Sequence, residues 1–191
     1  KKNPVLPITS INCCGKKFTW ENTNVKYVYN LSICMSTINY DLTKIKSFIF
    51  DVDGVLSCQT VTLAEDGQPM RSTNVRDGYA IHHAIRSGLD VAVITGGRSE
   101  IVRRRLESLG VRHIYLKSYD KTEQLKEYMD KTGFDPEEII YVGDDIIDYL
   151  VMKKVGLPVA PADACPEIKD ISIYVSPVRG GEGVARDVIE Q

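Results

Sequence analysis

Short apolar runs alternate along this chain with stretches of helical spacing, and that rhythm predicts most of its elements. The run Phe48-Ile49-Phe50 completes a strand from Lys46 to Phe50. A hairpin follows, in which Thr60 to Ala64 and Met70 to Asn74 flank the turn residues Glu65-Asp66-Gly67-Gln68-Pro69. Helical spacing then places Tyr79, His82, His83 and Ile85 on a helix that stops at Gly88. Val91 to Ile94 is a second buried strand. Ser99 caps the next helix, where Ile101, Val102, Leu106 and Leu109 recur at helical intervals before Gly110. A strand at His113 to Leu116, a helix from Lys121 to Lys131 stopped by Gly133, and a strand at Ile139 to Val142 continue the pattern. Helices near Ile146 to Val155, Pro166 to Lys169 and Gly183 to Ile189 enclose strands at Leu157 to Ala160 and Ile173 to Val175. Strands separated by helices predict an α/β domain: a Rossmann-like parallel sheet flanked by helices.

Residues 1–34 break this rhythm. They are rich in Asn, Thr and Tyr, and neither period persists, although Val25 to Ile33 is a candidate edge strand. The reading is an N-terminal extension, with Met35 as a candidate natural start, followed by one domain over residues 35–191 with the hairpin flap at 59–74. Trp20 and Tyr27 to Tyr29 are the contact residues such an arm would use in docking. A length of 191 residues with 43% hydrophobic positions accommodates one α/β domain with a real core. The net charge of −2 argues against a general nucleic-acid partner. The five cysteines, Cys13, Cys14, Cys34, Cys58 and Cys165, match neither a zinc-site spacing nor an even disulfide framework. With no apolar run near the roughly 20 residues of a membrane span, the expectation is a cytoplasmic protein without a membrane partner.

Candidate chemistry gathers where the predicted strands end. Asp51 and Asp53 follow the first strand and, if the extended backbone continues through Val52, face one small volume. Two anions that close call for a cation, and the carboxyl end of an open α/β sheet is where ligands bind. A divalent metal and a phosphate suit such a place. Thr95-Gly96-Gly97-Arg98 leaves the second strand, Lys121 opens a later helix, and Gly143-Asp144-Asp145 leaves the fourth. Each has a plain structural alternative: a strand-end cap, a solvated lysine, a helix N-cap. Their joint placement at successive strand exits points instead to phosphate and metal chemistry.

These residues resemble the four ordered motifs of the haloacid dehalogenase superfamily of phosphohydrolases: Asp51-Val-Asp53-Gly-Val, Thr95, Lys121 and Gly143-Asp144-Asp145. Asn74-Val-Arg76-Asp77-Gly78-Tyr79, Ile94-Thr95-Gly96-Gly97-Arg98, Tyr141-Val-Gly-Asp-Asp145 and Arg179-Gly-Gly-Glu-Gly183 are similar to the cap-less phosphatases of 3-deoxy-D-manno-octulosonate 8-phosphate. The likeness covers Ile45 to Gln191. It implies that Asp51 is the nucleophile of an aspartyl-phosphate mechanism and that Asp53 is the general acid and then base. It implies Mg²⁺ held by the Asp51 carboxylate, the Asp53 main-chain carbonyl and the Asp144 carboxylate, with Asp145 behind them fixing a ligand or Lys121. Thr95, Gly96 and Lys121 would hold the phosphoryl oxygens.

A sugar-acid phosphate also carries a carboxylate, which arginine grips through a bidentate fork. Arg76 and Arg98 are the candidates, and Gly78 offers room for close approach of a ligand. The Arg103-Arg104-Arg105 run is a weaker candidate for that role, since charge runs are usually solvated faces; His82 and His83 read as helix surface or a subunit contact, Asp148 equally well as helix surface, and Cys58 as packing. With only a hairpin in place of a cap domain, the resemblance implies a homotetramer whose neighbours cover each site, and the Arg179 to Gly183 loop reaches toward the sugar. The chain departs from the pattern in residues 1–34, in Ser57-Cys58 where relatives often have Thr-Asp, and in ending soon after the last helix. A phosphoaccepting receiver module would carry its acceptor Asp after a later strand. A silent sugar-phosphate binder has no use for Asp53. Among enzymes the nearest rival is a phosphatase of nine-carbon sialic-type acid 9-phosphates.

Overall fold

A computed structural model of the protein describes residues 10–11, 17–18, 38–65, 67 and 69–191. The chain divides into two units, Lys1–Thr37 and Ile38–Gln191. In the first, β1 (Ser10–Ile11) pairs antiparallel with β2 (Lys17–Phe18). The edge strand expected at Val25 to Ile33, Trp20, and Asp66 and Gln68 of the hairpin turn lie outside the described residues.

In the second unit six parallel strands, counted among the described residues, form one sheet in the order β10-β9-β8-β3-β6-β7. They are β3 (Ser47–Phe50), β6 (Asp90–Ile94), β7 (His113–Tyr115), β8 (Ile139–Val142), β9 (Leu157–Ala160) and β10 (Tyr174–Val175). Alternation along β3 divides the core between its two faces. Phe48 and Phe50 join Ile81, Ala84, Leu106 and Val188, which are among the buried residues of α1 (Val75–Arg86), α2 (Glu100–Ser108) and α6 (Val184–Glu190). Ile49 joins Leu125, Tyr128, Val151 and Ile168 from α3 (Lys121–Thr132), α4 (Ile146–Met152) and α5 (Pro166–Ile171) on the other face.

Local chemistry sets the helix ends. Ser99 accepts from the Val102 amide at the start of α2, as its sequence position predicted, and Asp120 does the same for Thr122 before α3. α6 is capped from elsewhere. Gly183 precedes it without a side chain, and Asp77 of α1 accepts from the Arg186 amide at 2.8 Å instead. Burial holds the Asp77 carboxyl up at about 6, against the lowering effect of these backbone amides.

Two helix faces differ from the sequence reading. Tyr79 and Ile101 are exposed; the buried side of α1 is Asp77, Gly78, Ala80, Ile81 and Ala84, where small residues admit close packing. Gly78 does not make room for a ligand. A Cβ there would stand 2.8 Å from Arg105 Nη2, so its missing side chain accommodates α2.

β3 pairs in register with both neighbours, Ser47 opposite Asp90 and Ile139, so the three strands end together. Asp51, Thr95 and Gly143 therefore leave the sheet along one edge. The chain order reverses at β3, with β6 on one side and β8 on the other, which opens a crevice at that edge. A short hairpin, β4 (Thr62–Leu63) with β5 (Pro69–Met70), lies between β3 and α1. Among the described residues no helix is long and apolar enough to cross a membrane.

Candidate active site

The crevice is a cavity of about 470 Å³ whose lining includes Asp51, Asp53, Thr95, Gly96, Lys121, Asp144 and Asp145. Strand alternation does not bring the first two together. The extended backbone stops at Phe50, and a turn with Gly54 at φ +80° returns both carboxyl groups to the same cavity. Gly54 also lies against Asp144: a Cβ at this position would fall 1.9 Å from Asp144 Oδ2.

Lys121 is the centre of the site. Its ammonium donates to Asp51 Oδ2 at 2.6 Å and to Asp148 Oδ1 at 2.7 Å, with all three side chains buried. Burial works against its charge, but Asp51 and Asp148 outweigh burial and raise its pKa. Asp148 is thus not helix surface. Oδ1 also accepts from the Tyr141 hydroxyl at 2.7 Å and Oδ2 from the Asp144 amide at 3.2 Å. Helical spacing carried no signal for this, since Asp144 precedes the Asp145 cap of α4 and only Asp148 lies on the helix. Asp145 does not hold Lys121. It is exposed at the start of α4, where its carboxylate accepts from the Ile146 amide, while still lining the cavity.

Asp51, Asp144 and Asp148 present carboxylate oxygens within 4.8 Å of one another. The Lys121 ammonium bonds two of them, Asp51 and Asp148, and not the third. Burial, then the neighbouring carboxylates, push Asp51 and Asp144 up to about 7. Such a shortage of positive charge is what a hard divalent cation relieves, and oxygen donors of this kind suit Mg²⁺. Asp51 and Asp144 line the cavity and Asp148 does not, so the first two are the carboxylates a metal in the cavity could reach. Gln59 donates to Asp144 Oδ2 at 3.3 Å from the cavity rim.

Thr95, at the end of β6, is buried and accepts from the Gly97 amide at 3.1 Å. The arginines expected to meet a substrate carboxylate sit elsewhere. Arg76 is exposed on the first turn of α1, and Arg98 is exposed and bonds the Tyr119 hydroxyl; neither lines the cavity. Arg71, which sequence reasoning missed, forks the Asp53 carboxylate instead. Cys58 packs against Gly181. His82 bonds the Leu109 carbonyl at 3.1 Å, consistent with its reading as a helix-surface residue.

Residues 107–188 match the family model for haloacid dehalogenase-like hydrolases. The chain is 38% identical over 165 residues to the 3-deoxy-D-manno-octulosonate 8-phosphate phosphatase of Escherichia coli K12, covering 84% of this chain and 88% of that one. The crystal structure of the Yersinia pestis phosphatase of the same name superposes with a TM-score of 0.77 at 32% identity, over 97% of this chain and 91% of that chain. The Moraxella catarrhalis phosphatase, solved with magnesium, phosphate and the KDO molecule, gives 0.75 at 32% identity over 78% and 86%. Identity of this extent, over nearly the whole length of the relatives and on the same sheet, makes the chain a member of the 3-deoxy-D-manno-octulosonate 8-phosphate phosphatase family of haloacid dehalogenase-like hydrolases.

Proposed function

We propose that the chain is a Mg²⁺-dependent phosphomonoester hydrolase that converts 3-deoxy-D-manno-octulosonate 8-phosphate to the free sugar acid and phosphate. The observation that carries the reading is Lys121, clamped between Asp51 and Asp148 in a cavity it shares with Thr95, Asp53 and Asp144. The family supplies the substrate, and the buried acidic cluster supplies a place for the metal.

In the first step an Asp51 carboxylate oxygen attacks phosphorus and the bond to the sugar oxygen breaks. Asp53 gives its proton to that departing oxygen. In the second step Asp53, now a carboxylate, takes a proton from a water that attacks the same phosphorus, and Asp51 is released with inorganic phosphate. Lys121, Thr95 and the Gly96 amide hold the phosphoryl oxygens and oppose the charge that builds on them. The Asp51 and Asp144 carboxylates and the Asp53 main-chain carbonyl would hold Mg²⁺, which would neutralise charge on the phosphoryl group.

Exposed apolar side chains support a homotetramer in which neighbours cover the sites. Leu63 and Met70 project from the hairpin, and Ile146 and Leu150 from α4 beside the cavity. A hairpin this short is marginal by itself in water. Light scattering at working concentration tests this; a fully active monomer excludes sites completed by a neighbour.

The substrate is tested by phosphate release with Mg²⁺ from eight- and nine-carbon ulosonic acid phosphates, hexose phosphates and nucleotides. The eight-carbon acid is expected to be preferred. A strong preference for nucleotides would overturn the substrate assignment, and preference for a nine-carbon acid 9-phosphate would move it to the sialic-type alternative.

A further inference from the structure

Arg71 follows β5 on the hairpin and reaches into the catalytic loop. Its Nε donates to Asp53 Oδ1 at 2.6 Å and its Nη2 to Asp53 Oδ2 at 2.7 Å. The arginine side chain is only 9% exposed. On its other side it abuts the Thr95 turn: a Cβ at Gly97 would meet Arg71 Nη2 at 3.4 Å and Thr95 Oγ1 at 3.3 Å. One guanidinium thus connects the flap, the catalytic carboxyl group and the turn that leaves β6.

We propose that Arg71 is a positioning residue for Asp53: its fork sets the Asp53 carboxyl group for proton transfer to the leaving oxygen and ties that orientation to the hairpin. The inference rests on the reading of Asp53 as proton donor given above. An aspartate turns about two side-chain torsions, and a planar fork on both oxygens fixes both. Oδ1 accepts from Arg71 Nε and, at 3.3 Å, from the Ser57 hydroxyl. Oδ2 accepts from Arg71 Nη2. Oδ1 is anchored by two donors and Oδ2 by one, so Oδ2 has the free lone pair that can carry the proton given to the leaving oxygen and later take one from water. A lysine at position 71 would supply the charge without the fork. The hairpin pairs two residues on each strand, and Arg71 follows the second directly, so the ion pair ties the end of the hairpin to the orientation of Asp53.

The test compares kcat/KM, which reports phosphoryl transfer to Asp51, on phenyl phosphate and p-nitrophenyl phosphate with saturating Mg²⁺. The two esters have almost the same shape and carry no sugar or carboxylate. Phenolate needs a proton to leave; nitrophenolate scarcely does. Arg71→Ala is expected to lower kcat/KM about 100-fold on phenyl phosphate and about 10-fold or less on p-nitrophenyl phosphate, the range a displaced general acid produces. Arg71→Lys should recover little of the difference, and the inhibition constant of inorganic phosphate should stay unchanged. Adding Arg71→Ala to Asp53→Asn should cost little more than Asp53→Asn alone, because both remove one function. Equal losses on the two esters, or full recovery with lysine, would overturn the positioning role. If Asp53→Asn itself shows no leaving-group preference, the proton-donor reading fails first and the inference falls with it. If Asp53→Asn shows the preference and Arg71→Ala does not, only the inference fails.

Discussion

Asp148 Oδ1 accepts a hydrogen bond from Lys121 Nζ at 2.7 Å, at a place where neither side chain is more than 1% exposed. The pair sets the height of the ammonium above Asp51 and stops it from collapsing onto that carboxylate alone. Replacing Asp148 with alanine leaves the Tyr141 hydroxyl, the Asp144 amide and one side of Lys121 without their acceptor. Urea titration is expected to show a loss of about 3 kcal/mol, and phosphate release a fall of at least about 100-fold in kcat. Parent-like turnover from the folded variant would remove Asp148 from the site's architecture.

The acidic cluster gives metal binding a characteristic pH dependence. Asp51 and Asp144 stand near 7 in the metal-free fold, above the ordinary carboxylate value. A raised carboxyl pKa means that the folded chain binds more protons than the unfolded one between about pH 4 and 7, so stability falls as pH rises through that window. Asp77, raised to about 6, contributes in the same direction without touching the metal site. In chelator the melting temperature is expected to drop by about 5 °C or more between pH 5 and 8. Mg²⁺ should restore most of the loss at pH 8 and little at pH 5. Equal Mg²⁺ stabilisation at both pH values would contradict the assignment of these carboxylates to the metal.

Asp77 provides a test away from the chemistry. Its carboxyl group caps α6 in place of the side chain Gly183 lacks. Asp77→Ala should cost about 1 to 2 kcal/mol in urea unfolding, while Asp77→Asn, which keeps the acceptor, should cost less. A stable alanine variant would show that α6 is held by its apolar face alone.

Gly54 separates fold from metal site in another way. An alanine there meets both a φ of +80° and Asp144 Oδ2, the carboxylate assigned to the metal. Gly54→Ala is expected to lower Mg²⁺ affinity by at least about 10-fold, equivalent to about 1.4 kcal/mol, as read by calorimetry. Unchanged affinity would place the metal away from Asp144.

The elements were legible in the sequence because buried strands and glycine-stopped helices obey strong local rules. β8 and β9 fall at the expected residues and the other strands of the parallel sheet differ by one residue at an end, but β5 stops at Met70 where the strand was expected to run to Asn74, because Asn74 caps α1 instead. Asp51, Asp53, Thr95, Gly96, Lys121, Asp144 and Asp145 were legible as a set because each leaves or follows a strand, and all line one cavity. Asp148 was harder. A carboxylate three residues into a helix reads as solvent-facing until the lysine beneath it is located. Arg71 left no local signal, since its partner lies eighteen residues away and their meeting depends on how the hairpin folds back. Arg76 and Arg98 were singled out by chemistry, which does not say which way the first turn of α1 or the loop before α2 aims a side chain.

The central claim is that Asp51 itself becomes phosphorylated. Rapid acid quench of a single turnover in the Asp53→Asn variant, where the water step is slowed, followed by borohydride reduction and peptide mass spectrometry, tests it directly. The account predicts a phosphoryl group on the peptide containing position 51, converted to homoserine at that residue by borohydride and absent in Asp51→Asn. Release of phosphate with no phosphorylated peptide at any time during the turnover, or normal turnover by Asp51→Asn, would contradict it.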